Sequence, residues 1–156
     1  MVLLCACHES DNEQILDQLD QVIESKGLYA VRFERRVDSL RRELCTASDD
    51  TMRWRTANRL FDSYITYNID TAARYVALMY DLAEHTGRRD MKFLSTTCDI
   101  SVLIGRNNIE DAYDRIRSLD TAGITKRMRA NYYTQQMVVY GRLASQKRSA
   151  DLNANP

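Results

Sequence analysis

One proline and five glycines among 156 residues leave few points at which a helix is forced to stop, which argues against a strand-rich or loop-rich chain. Histidine occurs only at His8 and His85. Lys plus Arg and Asp plus Glu stand at 22 each, so the molecule offers no long-range field to gather nucleic acid or anionic lipid. No apolar run approaches the roughly 20 residues of a membrane-spanning helix. The four cysteines at 5, 7, 45 and 98 are too scattered for a disulfide framework. Cys5-Ala6-Cys7-His8 lacks the second ligand pair that a zinc site requires. A Gly-rich phosphate loop, a metal-spaced cluster and a Ser/His/Asp order are all missing, so no catalytic residue, cofactor or metal is expected, and the chain reads as a non-enzyme.

A repeated register of small residues is present instead. In DTAARYVALMYDLA, Ala72 is followed by Val76 and Met79, and in EDAYDRIRSL, forty residues on, Ala112 is followed by Ile116 and Leu119. A small residue lets two helices approach closely, while the larger apolar residues one and two turns later pack on a neighbour, so such a unit cannot bury its face alone. The expected fold is all-α: stacked antiparallel helical hairpins, about seven helices in all, resembling a tetratricopeptide-type solenoid with a lengthened period.

The helices are read from apolar spacing and caps. Ile15, Leu19, Val22 and Ile23 predict a first helix ending near Gly27, and Tyr29, Phe33, Val37, Leu40 and Leu44 predict a second. Thr46 to Asp50 breaks the pattern and offers capping oxygens to a third, about 50–66, that buries Trp54, Ala57, Leu60, Phe61 and Tyr64. Asn68 to Asp70 turns into a fourth, which stops at Gly87 as a left-handed C-terminal position. A fifth over about 89–104, a sixth over 109–119 capped by Asn107-Asn108, and a seventh over about 125–145 complete the set. The polar tail 146–156 is expected to be disordered, and the domain is placed at 11–145. Free Cys98, within an apolar stretch, is expected to act as a small buried hydrophobe.

Charge and the amino terminus add two features. Residues 9–25 carry six acids and no base, and residues 121–150 carry six bases and no acid. Both read as solvated helix faces, with contact between the ends or with a partner as the alternative. Val2 to Cys7 resembles the end of a lipoprotein signal, with Leu4 and Ala6 in the recognised positions and Cys7 as the candidate lipidation site. The basic region and the apolar length of a working signal are not in residues 1–10, so this segment is read as the remnant of one whose start lies upstream, with a coincidental apolar helix end as the alternative.

YAVRFERRVDSLRREL followed by LFDSYITYNIDTAARYVALMYDLA carries a family resemblance. It is similar to the N-terminal extracytoplasmic region of Bacteroides-type tetratricopeptide-repeat membrane regulators, a family gathered around a domain of unknown function. Tyr29, Glu34, Arg36, Val37, Leu40 and Arg41 match the family's first phrase, and Leu60, Tyr64, Tyr67, Asp70, Thr71 and Ala72 match its second, with Asp62 or Ser63 standing where the family has Glu. The resemblance covers about 11–145 and implies a signal sequence, repeats outside the inner membrane, a membrane span, a coiled coil and a DNA-binding helix-turn-helix. Only the repeats are matched here, so the chain reads as a segment of a longer regulator.

The functional expectation is a non-catalytic interaction and sensory domain, extracytoplasmic and membrane-associated through an N-terminal lipid or a span outside this segment. The alternatives are a small cytoplasmic helical adaptor and, third, a nucleic-acid-binding helical protein, which zero net charge and the lack of a helix-turn-helix disfavour. The partner is a protein or peptide held on the concave face; the segment itself binds no nucleic acid. Candidate contacts come from the first helix of each hairpin: Arg55, Arg59, Asp62, Lys92, Asp99 and Arg106, with Asn58, Tyr67, Thr96, Arg129 and Gln136 beside them. Ordinary solvated surface is the competing reading for each. Tyr132, Tyr133, Met137 and Tyr140 are poor solvent residues, and they offer a self-association face on the last helix or the seat of a further repeat.

Overall fold

The computed structural model describes residues 9–154, with side chains described for 14–149. Cys7, His8 and the signal-like start therefore lie outside the described residues. Two compact units divide the chain, one ending at Ser39 and one beginning at Leu40. Among the described residues there are six helices and no strand: α1 Glu9–Thr46, α2 Asp50–Tyr64, α3 Ile69–Thr86, α4 Arg89–Gly105, α5 Ile109–Arg117 and α6 Lys126–Ala154. Described residues up to Ser39 belong to α1 alone.

Six helices replace the seven read from the sequence, because the break expected at Gly27 does not occur. A glycine inside a helix costs roughly 0.5–1 kcal/mol relative to alanine, too little to end a helix without proline or a capping residue beside it. Gly27 stays helical, with open space where a Cβ would stand. The carboxyl end differs in the same way. α6 runs on to Ala154 through most of the stretch expected to be disordered; SQKRSADLNA holds neither Gly nor Pro, and its Lys, Arg, Gln, Leu and Ala are good helix formers.

In the second unit the caps are those the sequence offers. Asp49 accepts from the Met52 N–H at 2.8 Å, Asn68 from Thr71 at 2.9 Å and Asn108 from Asp111 at 3.4 Å, each satisfying an amide that the first turn leaves unpaired. Gly87 closes α3 with φ +64°, a conformation that costs glycine nothing.

Short links make α2 to α5 run antiparallel in sequence, and each helix from α2 to α6 packs on the next, while α4 also packs on α6. The small-residue register is what brings them together. Ala72 and Ala112 are fully buried, with Val76, Met79 and Ile116 buried beside them. Ile100, Ile109, Ala112, Ile116 and Val139 form one core across α4, α5 and α6, against which Leu119 is partly buried. Where the end of α4 meets the start of α3, Ile69 Cδ1 stands 2.7 Å from where a Gly105 Cβ would be, so the glycine makes room for the start of α3.

Candidate functional site

α2, α4 and α6 are alternate helices of the second unit, and side chains join them in sequence. Trp54 on α2 donates its indole N–H to Ser95 Oγ on α4 at 3.0 Å, and Ser95 donates on to the Met91 carbonyl at 2.9 Å. On the other flank of α4, Gln135 of α6 donates to Ser101 Oγ at 2.7 Å, and Ser101 donates to the Thr97 carbonyl at 3.2 Å. In both relays the serine accepts from the neighbouring helix and returns its own proton to an α4 carbonyl. This ties three helices into one wall without leaving a buried donor unpaired.

The surface so formed is a groove of about 650 Å³. Trp54, Phe61, Ile65, Leu94 and Met128 give it apolar area, and Asn58, Asp62, Asp90, Arg127, Asn131 and Gln135 supply polar groups. The spacing explains the placement. Trp54, Asn58, Phe61, Asp62 and Ile65 share one face of α2, as Leu94, Thr97, Cys98 and Ser101 share one face of α4. Cys98 lies in the groove wall, its thiol 3.5 Å from Asn58 Oδ1. Burial, with the Asp62 and Asp99 carboxylates adding to it, pushes that thiol up to about 12, so it is protonated and chemically quiet at neutral pH.

Of the residues the sequence nominated, the groove collects Asp62 and, beside it, Asn58. Arg59 turns to Glu43 at the end of α1, with 2.8 Å contacts to both carboxylate oxygens. Arg106 pairs with Asp70 at 2.6 Å, bridging the end of α4 to the start of α3. Asp99 receives Arg115 at 3.3 Å and the Tyr80 hydroxyl at 3.5 Å. Lys92 and Thr96 line a separate hollow of about 480 Å³ with Tyr80, Arg89, Phe93 and Arg115. Arg55 is exposed, and Arg129 lines a small depression with Tyr132 and Tyr133. The nominated set is thus spread over several surfaces. Trp54, Leu94, Met128, Asn131 and Gln135, which line the groove, are not among the nominated residues, although the face of α2 through Asn58 and Asp62 carries the signal for Trp54.

A profile described as the SusR N-terminal TPR domain matches residues 23–155. The chain belongs to that family. No curated protein and no solved structure matches it. The SusR-type TPR domain is a helical-repeat fold of the kind that generally mediates protein–protein interaction, and the match extends into α1. Among its described residues no helix is long and apolar enough to cross a membrane, and no three His, Cys, Asp or Glu side chains are gathered as metal ligands.

Proposed function

We propose that this SusR-type domain holds a segment of a partner protein in the groove along α2, α4 and α6 and turns over no substrate. The observation that carries the reading is the groove's composition. An aromatic and aliphatic floor from Trp54, Phe61, Leu94 and Met128 accepts side chains, while the amides of Asn58 and Asn131 are spaced along it to meet the backbone of an extended chain. Asp62 and Asp90 stand on the wall with Arg127, giving the groove charges of both signs with which to select a sequence. Of the nominated contacts, Asp62 takes part directly; Arg55, Arg59, Lys92, Asp99 and Arg106 are assigned to secondary surfaces outside it.

At the level of the whole protein, the domain acts as the sensory repeat region, proposed as 11–145, of a membrane-tethered transcriptional regulator, on the extracytoplasmic side. Cys7 is the proposed lipid anchor when a complete signal precedes it. These readings rest on the family and on the Leu4-Cys5-Ala6-Cys7 spacing. Mass spectrometry of the full gene product from a bacterial host tests the anchor: a diacylglycerol adduct on Cys7 supports it, and an exported chain with unmodified Cys7 refutes it. Panning the domain against a displayed library of random peptides tests the groove. Selected peptides should lose binding to an Asn58→Ala, Asn131→Ala double variant. Peptides that bind that variant unchanged would place the site elsewhere.

A further inference from the structure

α1 exposes an apolar stripe for which the first unit supplies no cover. Ile15, Leu16, Leu19, Val22, Ile23 and Tyr29 are each more than half exposed, from 53% at Leu19 to 63% at Tyr29. Ile15, Leu19, Val22, Lys26 and Tyr29 follow one another at alternating steps of four and three, the seam spacing of a two-stranded coiled coil, and Leu16 and Ile23 widen it on one side. A contiguous apolar patch of this length on a soluble helix marks an interaction face.

We infer that this face binds the same face of a second copy of the chain, with the two α1 helices antiparallel. Two features of the sequence choose that occupant and that direction. First, the stripe is nearly its own complement about residue 24: in the antiparallel register Leu19 falls opposite Tyr29 and Val22 opposite Lys26, with Ile15 opposite Phe33, where the exposed stripe ends. Every seam position then meets a different residue of the partner copy. The parallel register instead stacks Lys26 on Lys26 within one layer, a like-charge contact in the seam.

Second, charge is divided along the helix. Glu9, Asp11, Glu13, Asp17, Asp20 and Glu24 precede the centre with no base among them, while Lys26, Arg32, Arg35 and Arg36 follow it with Glu34 as the single acid up to residue 36. Antiparallel pairing lays the acidic half of each helix along the basic half of the other. Parallel pairing lays like halves side by side. The acids at 17, 20 and 24 lie away from the seam, so the complement acts as a field along the flanks that sets direction, while apolar burial supplies affinity. The pairing is isologous and closes at two copies. It is independent of the groove and of the exposed tyrosines on α6.

Sedimentation of the full chain over a concentration series tests it. The chain is expected to dimerise, Leu19→Glu to shift it to monomer, and Met137→Glu on α6 to leave the dimer intact. Lys26→Leu, which fills the seam without breaking the helix, is expected to tighten the dimer about tenfold or more. Direction is read from disulfides in a background with all four native cysteines replaced by serine. Gln18→Cys mixed with Arg32→Cys should cross-link, while Gln18→Cys alone should not, since antiparallel pairing holds its two copies about 18 Å apart along the helix axis. A monomeric chain, a dimer broken by Met137→Glu and not by Leu19→Glu, a Lys26→Leu variant no tighter than the parent, or a homotypic cross-link at position 18 would each overturn the inference.

Discussion

The indole N–H of Trp54 lies 3.0 Å from Ser95 Oγ, joining two helices separated by the whole of α3, and both residues are buried at 7% and 0% exposure. The bond fixes where α2 stands against α4 and so fixes one wall of the groove. Ser95→Ala should leave the buried indole donor unpaired and lower stability by about 1–3 kcal/mol. Replacing both partners, Trp54→Phe with Ser95→Ala, should be less costly than the two single losses added together. A double-mutant cycle in chemical denaturation measures the coupling; additive losses would remove the bond from the account.

The two buried alanines give the second prediction. With Ala72 and Ala112 at 0% exposure, Ala72→Leu or Ala112→Leu should overpack a helix crossing and cost about 1–3 kcal/mol each. Denaturation midpoints equal to that of the parent chain would mean that the helices do not meet there.

Cysteine labelling separates wall from surface. Cys45 is exposed, whereas the Cys98 thiol, raised by burial to about 12, is held as the unreactive acid form. At a mildly alkaline pH of about 8, near the ordinary thiol range, a maleimide should modify Cys45 promptly and Cys98, whose half-buried thiol stays protonated, far more slowly. Equal rates for the two, followed by peptide mass mapping, would contradict the placement of Cys98.

Much of this architecture is legible in the sequence because it is local. Asp49, Asn68 and Asn108 announce helix starts through oxygens that reach amides three residues on, and Gly87 announces an end through its left-handed backbone. The register at Ala72 and Ala112 is legible for the same reason: spacing along one helix states which face must be covered. What resisted reading was the choice among polar faces. Arg59 and Asp62 are three residues apart on α2 and equally hydrophilic, yet Arg59 reaches Glu43 while Asp62 lines the groove. That distinction depends on which neighbour stands on each side, and no periodicity within α2 contains it. Gly27 misled for the opposite reason: its local signal is real and too weak to break a 38-residue helix.

Acid sensitivity follows from the loop around α4 and α5. A hydrogen bond from Arg88 holds the Asp90 carboxyl below the usual carboxylate range, and a hydrogen bond from the Ala122 amide, with Arg89 nearby, does the same for Asp120. Groups with folded-state values below their unfolded ones favour the fold above the unfolded range and lose that contribution as pH falls through the folded one. Asp120→Asn should therefore narrow the stability difference between neutral and acid conditions, its effect fading as pH falls. A loss of stability that is the same at both pH values would remove Asp120 from the titration.

Partner segments are proposed to lie in the groove and not on the outer basic surfaces. This placement is tested most directly by comparing two sets of charge reversals for capture of a peptide selected on the parent domain, with circular dichroism confirming that both sets fold. Asp62→Lys with Arg127→Glu changes the groove wall, whereas Arg55→Glu, Arg59→Glu and Arg106→Glu change exposed positions outside it. The groove pair should abolish capture while the outer triple leaves the affinity within about threefold, as for surface changes outside a site. Capture that survives the groove pair and fails with the outer triple would contradict that placement.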